Sequence, residues 1–119
     1  DIKFAEMSGD TAYERDASKL GLSFPLTAGV SAAVQDTVAA MGGEVHNAQY
    51  CSGLDKCRDT VKATAAGKLD CSYIEGMACS NGCIDGPAAV GDFHITKVAL
   101  TKYAAAAPNK QTAEDKHTK

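Results

Sequence analysis

Cys79 and Cys83 stand four residues apart in the run Tyr73-Ile74-Glu75-Gly76-Met77-Ala78-Cys79-Ser80-Asn81-Gly82-Cys83-Ile84-Asp85-Gly86-Pro87. Thiols at that spacing can point the same way across one turn. Soft thiolates suit iron–sulfur or zinc chemistry. The glycines at 82 and 86 lack a Cβ, so backbone N–H groups there can come close to a bound anion or cluster. Metal sites of this kind usually take four ligands. By spacing alone, the pair therefore also fits two small buried residues beside a turn.

The elements around this run have to position it. An apolar stretch, Leu69 to Ile74, reads as a strand feeding directly into the cysteine loop, with Cys71 inside it facing the core. Upstream, Ser52 and Asp55 resemble a capping box opening a helix whose inner face would carry Leu54, Cys57, Val61 and Ala65. Before it, Glu44 to Tyr50 reads as a short strand. Before that, Thr27 is the expected cap of a helix with Val30, Ala33, Val34, Val38 and Met41 at helical spacing, ended by Gly42-Gly43. After Pro87, Asp92 is expected to cap a last helix with Ile95, Val98, Ala99 and Tyr103 inward, ended by Pro108. Alternating helices and strands predict an α/β fold with at least two parallel strands, a right-handed crossover and flanking helices. In such sheets functional loops follow the carboxyl ends of strands, as the cysteine run does.

The chain of 119 residues suffices for one compact domain. Its net charge of −3 calls for neither nucleic acid nor an anionic membrane surface, and no apolar run is long enough to span a bilayer. An odd count of five cysteines argues against a disulfide scaffold and for a reducing, cytoplasmic setting. Cys51, Cys57 and Cys71 read as structural; His46 and His94 read as surface residues. Residues 10–17 could open a helix, capped by Asp10 or Thr11, and the polar tail 109–119 is expected to be disordered.

The longer string Glu75-x-Met77-Ala78-Cys79-x-x-Gly82-Cys83-x-x-Gly86 resembles the last cysteine motif of the iron-only ([FeFe]) hydrogenases, Glu-x-Met-Ala-Cys-x-Gly-Gly-Cys-x-Gly-Gly. Phe24-Pro25-Leu26-Thr27-Ala28-Gly29-Val30 is similar to that family's Phe-Gly-x-Thr-Gly-Gly-Val segment, with Pro25 and Ala28 in place of two glycines. The resemblance implies one lobe of the hydrogenase catalytic domain, spanning residues 24–107 between a lead-in at 1–23 and a tail at 108–119. It implies that Cys79 ligates the cubane of the H-cluster and that Cys83 bridges this 4Fe-4S cubane to the two-iron subcluster. Met77 would pack against the two-iron unit and Phe24 would line the cofactor pocket.

The family's other two cysteine motifs, one like Thr-Ser-Cys-Cys-Pro and one like Met-Pro-Cys, do not occur in these residues. The chain is therefore expected to be the C-terminal part of a catalytic domain, inactive and without a complete H-cluster when isolated. An N-terminal lobe of the same protein and a ferredoxin-like electron carrier would be its partners, and self-association through exposed lobe surface is a further expectation. Ile84-Asp85-Gly86-Pro87-Ala88 replaces a Gly-Gly-Gly-Gln-Pro-like run and looks more like the divergent clostridial-type or sensory branches. Two other readings compete. One is a sensor or iron–sulfur assembly protein holding only a 4Fe-4S cluster. The other is a zinc or redox thiol module, which would need Cys51, Cys57 or Cys71 close to Cys79 and Cys83.

Overall fold

A computed structural model describes residues 2–3, 6–8 and 17–110. The helix start expected at Asp10 or Thr11 and the tail from 111 onward lie outside the described residues. The elements run α1 (Lys19–Leu22), α2 (Gly29–Ala40), β1 (Gln49–Ser52), α3 (Leu54–Ala65), β2 (Ile74–Met77), a 3-10 turn (Cys83–Asp85) and α4 (Phe93–Ala105). The fold is mixed α/β, as the alternation predicts. β1 and β2 pair in parallel, with Gln49 opposite Ile74, Tyr50 opposite Glu75, Cys51 opposite Gly76 and Ser52 opposite Met77. A two-stranded pair is marginal by itself. α3 packs along both strands, and α4 packs on α1 and on the 3-10 turn.

Both strands begin later than the sequence suggests. Asn47 takes a left-handed φ of 45° and breaks the first extension. The residues expected to open that strand bond instead to the loop before β2. His46 N–H donates to Ser72 Oγ at 2.9 Å, and the Asn47 side-chain amide donates to the Asp70 carbonyl. Cys71 thus lies outside β2, with its Sγ 3.8 Å from Thr64 Oγ1 on α3.

The helix starts differ as well. Ala28, not Thr27, is the cap residue of α2, in a left-handed conformation without a side-chain cap of its own. Gly53 stands before α3, so Ser52 and Asp55 form no capping box. Asp92 does cap α4, its Oδ1 accepting from His94 N at 2.9 Å and Ile95 N at 3.1 Å. Lys110 closes the other end, its Nζ donating to the carbonyls of Ala105 and Ala107.

Among the described residues the buried apolar side chains are small: Ala33, Cys51, Ala104 and Ala107. The inner face of α4 is Phe93, Thr96, Leu100 and Ala104, which leaves Ile95, Val98, Ala99 and Tyr103 outward, contrary to the expected stripe. Leu54 and Val61 on α3 are likewise exposed. α3 turns Cys57 and Thr60 inward, and α4 turns Phe93 and Leu100 inward beside Thr96 and Ala104, so the bulky residues of the expected stripes face away.

Candidate metal centre

β2 delivers Met77 and then the cysteine loop, at the carboxyl end of the parallel pair where open α/β sheets place functional loops. Cys79 is half-buried and Cys83 is exposed; both are free thiols. Between them Asn81 has a φ of 64° and Gly82 a φ of 90°. That second conformation with ψ −171° is essentially restricted to glycine. A Cβ at 82 would also lie 2.3 Å from the Pro25 carbonyl oxygen, so this close approach requires glycine. At Gly86 a Cβ would stand 3.2 Å from the Cys83 carbonyl oxygen and 3.3 Å from Cys79 Sγ, so glycine there lets the backbone pass close to that sulfur.

Three sets of polar contacts clasp the loop. The first joins it to the segment before α2. Leu26 and Gly82 form an antiparallel bridge, and Cys83 N–H donates to the Pro25 carbonyl at 2.8 Å. The second is the Ser52 hydroxyl at the end of β1. Its oxygen accepts from Asn81 N–H at 2.8 Å, lies 3.2 Å from the Cys79 carbonyl it can donate to, and sits 3.3 Å from Thr27 Oγ1. The third is Glu75 on β2, 7% exposed. Its Oε1 accepts from Ala28 N–H at 3.1 Å and its Oε2 from Ser31 N–H at 2.7 Å. These are first-turn amides of α2, which have no intrahelical acceptor, and a carboxylate there complements the helix dipole. Asn81 Nδ2 further donates to Asp85 Oδ2 at 2.9 Å, holding a carboxylate across the Cys83 turn.

A cleft of about 490 Å³ opens beside Cys83, lined by Ile84, Ala88, Ala89, Val90 and Thr96. Phe24 lies elsewhere, 42% exposed, in an apolar groove of about 240 Å³ with Ala33, Val34, Thr37 and Val38. Met77 is half-buried, and its carbonyl accepts from Gly53 N–H at 2.9 Å. Cys57 sits beneath the sheet, its Sγ 3.5 Å from the Met77 carbonyl and 3.7 Å from the Cys51 carbonyl. Desolvation pushes the Cys57 thiol up from its ordinary range, and neighbouring Cys51 adds to the shift. Among the described residues no three His, Cys, Asp or Glu side chains gather where they could hold a metal ion. Two thiols, Cys79 and Cys83, stand on this loop, short of the four ligands that a zinc or cubane site takes.

Sequence reasoning missed the roles of Glu75 and Ser52. A carboxylate inside an otherwise apolar strand, four residues before a cysteine, is a signal for a buried acid that needs N–H partners. Nothing in the sequence singles out Ser52 for the cysteine loop, since it reads equally well as a helix cap.

Two free thiols stand on a glycine-bearing turn that follows a parallel strand. The chain matches the family described as iron only hydrogenase large subunit, C-terminal domain, over residues 1–87, and it belongs to that family. The family is one of oxidoreductases. α4 lies beyond the matched residues. No curated protein matches the chain.

Proposed function

We propose that this chain supplies Cys79 and Cys83 as protein ligands of an H-cluster, a 4Fe-4S cubane joined to a two-iron unit. The full-length parent then acts as a hydrogenase, reversibly oxidising H2 to protons and electrons. The observation that carries this is the clasped turn: both thiols lie on one loop past β2, with the Gly86 backbone passing close to Cys79 Sγ. When bound, the cluster supplies the hydride and electron chemistry. The chain's residues bind and shelter it. Cys79 and Cys83 hold iron, and half-buried Ile84 lines the adjacent cleft. Met77 and Phe24 stay proposed cofactor-side residues, Phe24 from a groove of its own.

The remaining cluster ligands come from an N-terminal lobe of the same protein, and a ferredoxin-like carrier exchanges the electrons. Exposed Phe24, Met41, Leu54, Ile95 and Val98 give such a lobe, or a second copy of the chain, apolar surface to cover. The expected compartment is the cytoplasm; among the described residues no helix is long and apolar enough to cross a membrane.

In the full-length protein prepared without oxygen, Cys79→Ser and Cys83→Ser are each expected to lose bound iron and visible absorption, while Cys71→Ser keeps both. Equal iron in all three would overturn the reading. The isolated chain is expected to evolve no hydrogen. A second reading, a sensor or assembly protein holding the cubane alone, is favoured by Asp85, whose carboxylate is held across the Cys83 turn. A negative charge there disfavours reduction of a nearby cluster. About four irons per chain, instead of about six, would select this second reading.

A further inference from the structure

We propose that Glu75 is the positioning residue of the cysteine loop, tying β2 to the first turn of α2 and so fixing how Cys79 is presented. The inference rests on the reading of Cys79 and Cys83 as ligands, but its test does not use iron. Both carboxylate oxygens are engaged, by Ala28 N–H at 3.1 Å and Ser31 N–H at 2.7 Å. The partners are more than forty positions away in sequence, so the bonds join separate elements. One side of this joint leads in four residues to Cys79. The other side is the start of α2, and the segment just before it already bonds the loop through Leu26 and Pro25. Glu75 therefore closes a ring: β2, the cysteine loop, the Pro25–Leu26 segment, the first turn of α2, and back to β2. Within such a ring the loop cannot shift unless one bond in it breaks.

The other parts of the site make Glu75 the decisive member. Ala28 is left-handed and offers α2 no side-chain cap, so no other side chain takes up these two amides. Tyr50 is opposite Glu75 in the pair, so the carboxylate works from the middle of the strand, where it fixes register as well as distance. A neutral amide in its place keeps the length but offers one acceptor, and turns an N–H donor toward an N–H.

The test reads the cysteines of the metal-free chain by iodoacetamide labelling, located by mass spectrometry, in Glu75→Gln, Glu75→Asp and the unmodified chain. Half-buried Cys79 is expected to label at least threefold faster in Glu75→Gln, with Glu75→Asp between the two, and half-buried Cys71 unchanged. Cys71 sits against α3, outside the ring, and general loosening would speed it equally. Equal acceleration of Cys71 and Cys79, or a flat order across the three proteins, would overturn the proposal. Should Glu75→Gln fail to fold, hydrogen exchange in the unmodified chain decides. The amides of Ala28 and Ser31 are expected to exchange at least tenfold more slowly than that of Val30 between them. Equal rates at the three positions would also refute it. Loss of iron-binding specificity in the cysteine variants would sink the functional reading and leave this result standing.

Discussion

Replacing Ser52 by alanine removes a single hydroxyl that holds both a donor and an acceptor of the cysteine turn. The lost contacts are the bond from Asn81 N–H at 2.8 Å and the contact with the Cys79 carbonyl at 3.2 Å. A typical intramolecular hydrogen bond contributes about 0.5–1.5 kcal/mol net. Asn81 is exposed, so water replaces its partner and the lower end applies there. The Cys79 carbonyl belongs to a half-buried residue and is replaced less well. The sum is about 1 kcal/mol, which corresponds to roughly a fivefold increase in local opening. Native-state hydrogen exchange, read amide by amide, is the assay. Ser52→Ala is expected to speed exchange at Asn81 and Cys83 about fivefold, with little change in the middle of α3. Ser52→Thr keeps the hydroxyl and is expected to stay within twofold of the unmodified chain. Unchanged exchange at Asn81, or a uniform rise along the chain, would refute the reasoning.

Other perturbations follow from the same geometry. Gly82→Ala forces a side chain into a φ of 90° and a Cβ toward the Pro25 carbonyl, and is expected to cost about 3 kcal/mol in urea unfolding; a loss below about 0.5 kcal/mol would contradict the close approach. Cys57, held protonated by burial, binds its proton more tightly folded than unfolded. Its contribution is thus fully present below the unfolded thiol pKa and is lost as pH rises through the higher folded value. Urea midpoints should therefore fall across the alkaline thiol range, and Cys57→Ala should flatten that fall; an identical slope in both proteins would remove the argument.

The cysteine loop, its place after a strand and the α/β alternation were legible because each rests on local chemistry: thiol spacing, glycine punctuation and apolar runs. Asp92 was legible for the same reason, as its cap contacts lie within three residues. The caps of α2 and α3 were not. Thr27 and Ser52 are good cap residues, yet both turn toward one another and the cysteine loop, and Glu75 takes up the first-turn amides of α2 from another strand. Local preference gave way to contacts between residues 25–47 positions apart, which no window of sequence contains. The inner faces of α3 and α4 were misread because periodicity assumes that bulky apolar residues face a neighbour. Here α4 turns Phe93 and Leu100 inward with Thr96 and Ala104, a stripe offset from the expected one, while Leu54, Val61 and Ile95 face away.

Polar clasps hold the thiol loop beside a core whose fully buried apolar residues are small. The buried apolar side chains among the described residues are three alanines and a cysteine. At about 0.8 kcal/mol per buried methyl or methylene group, each contributes little. Hydrogen bonds to a charged carboxylate contribute about 1.5–3 kcal/mol each, and Glu75 accepts two. A body docking on the exposed apolar faces would add burial without having to rebuild the cysteine turn. A turn already held in place loses less freedom when a ligand arrives, which favours binding.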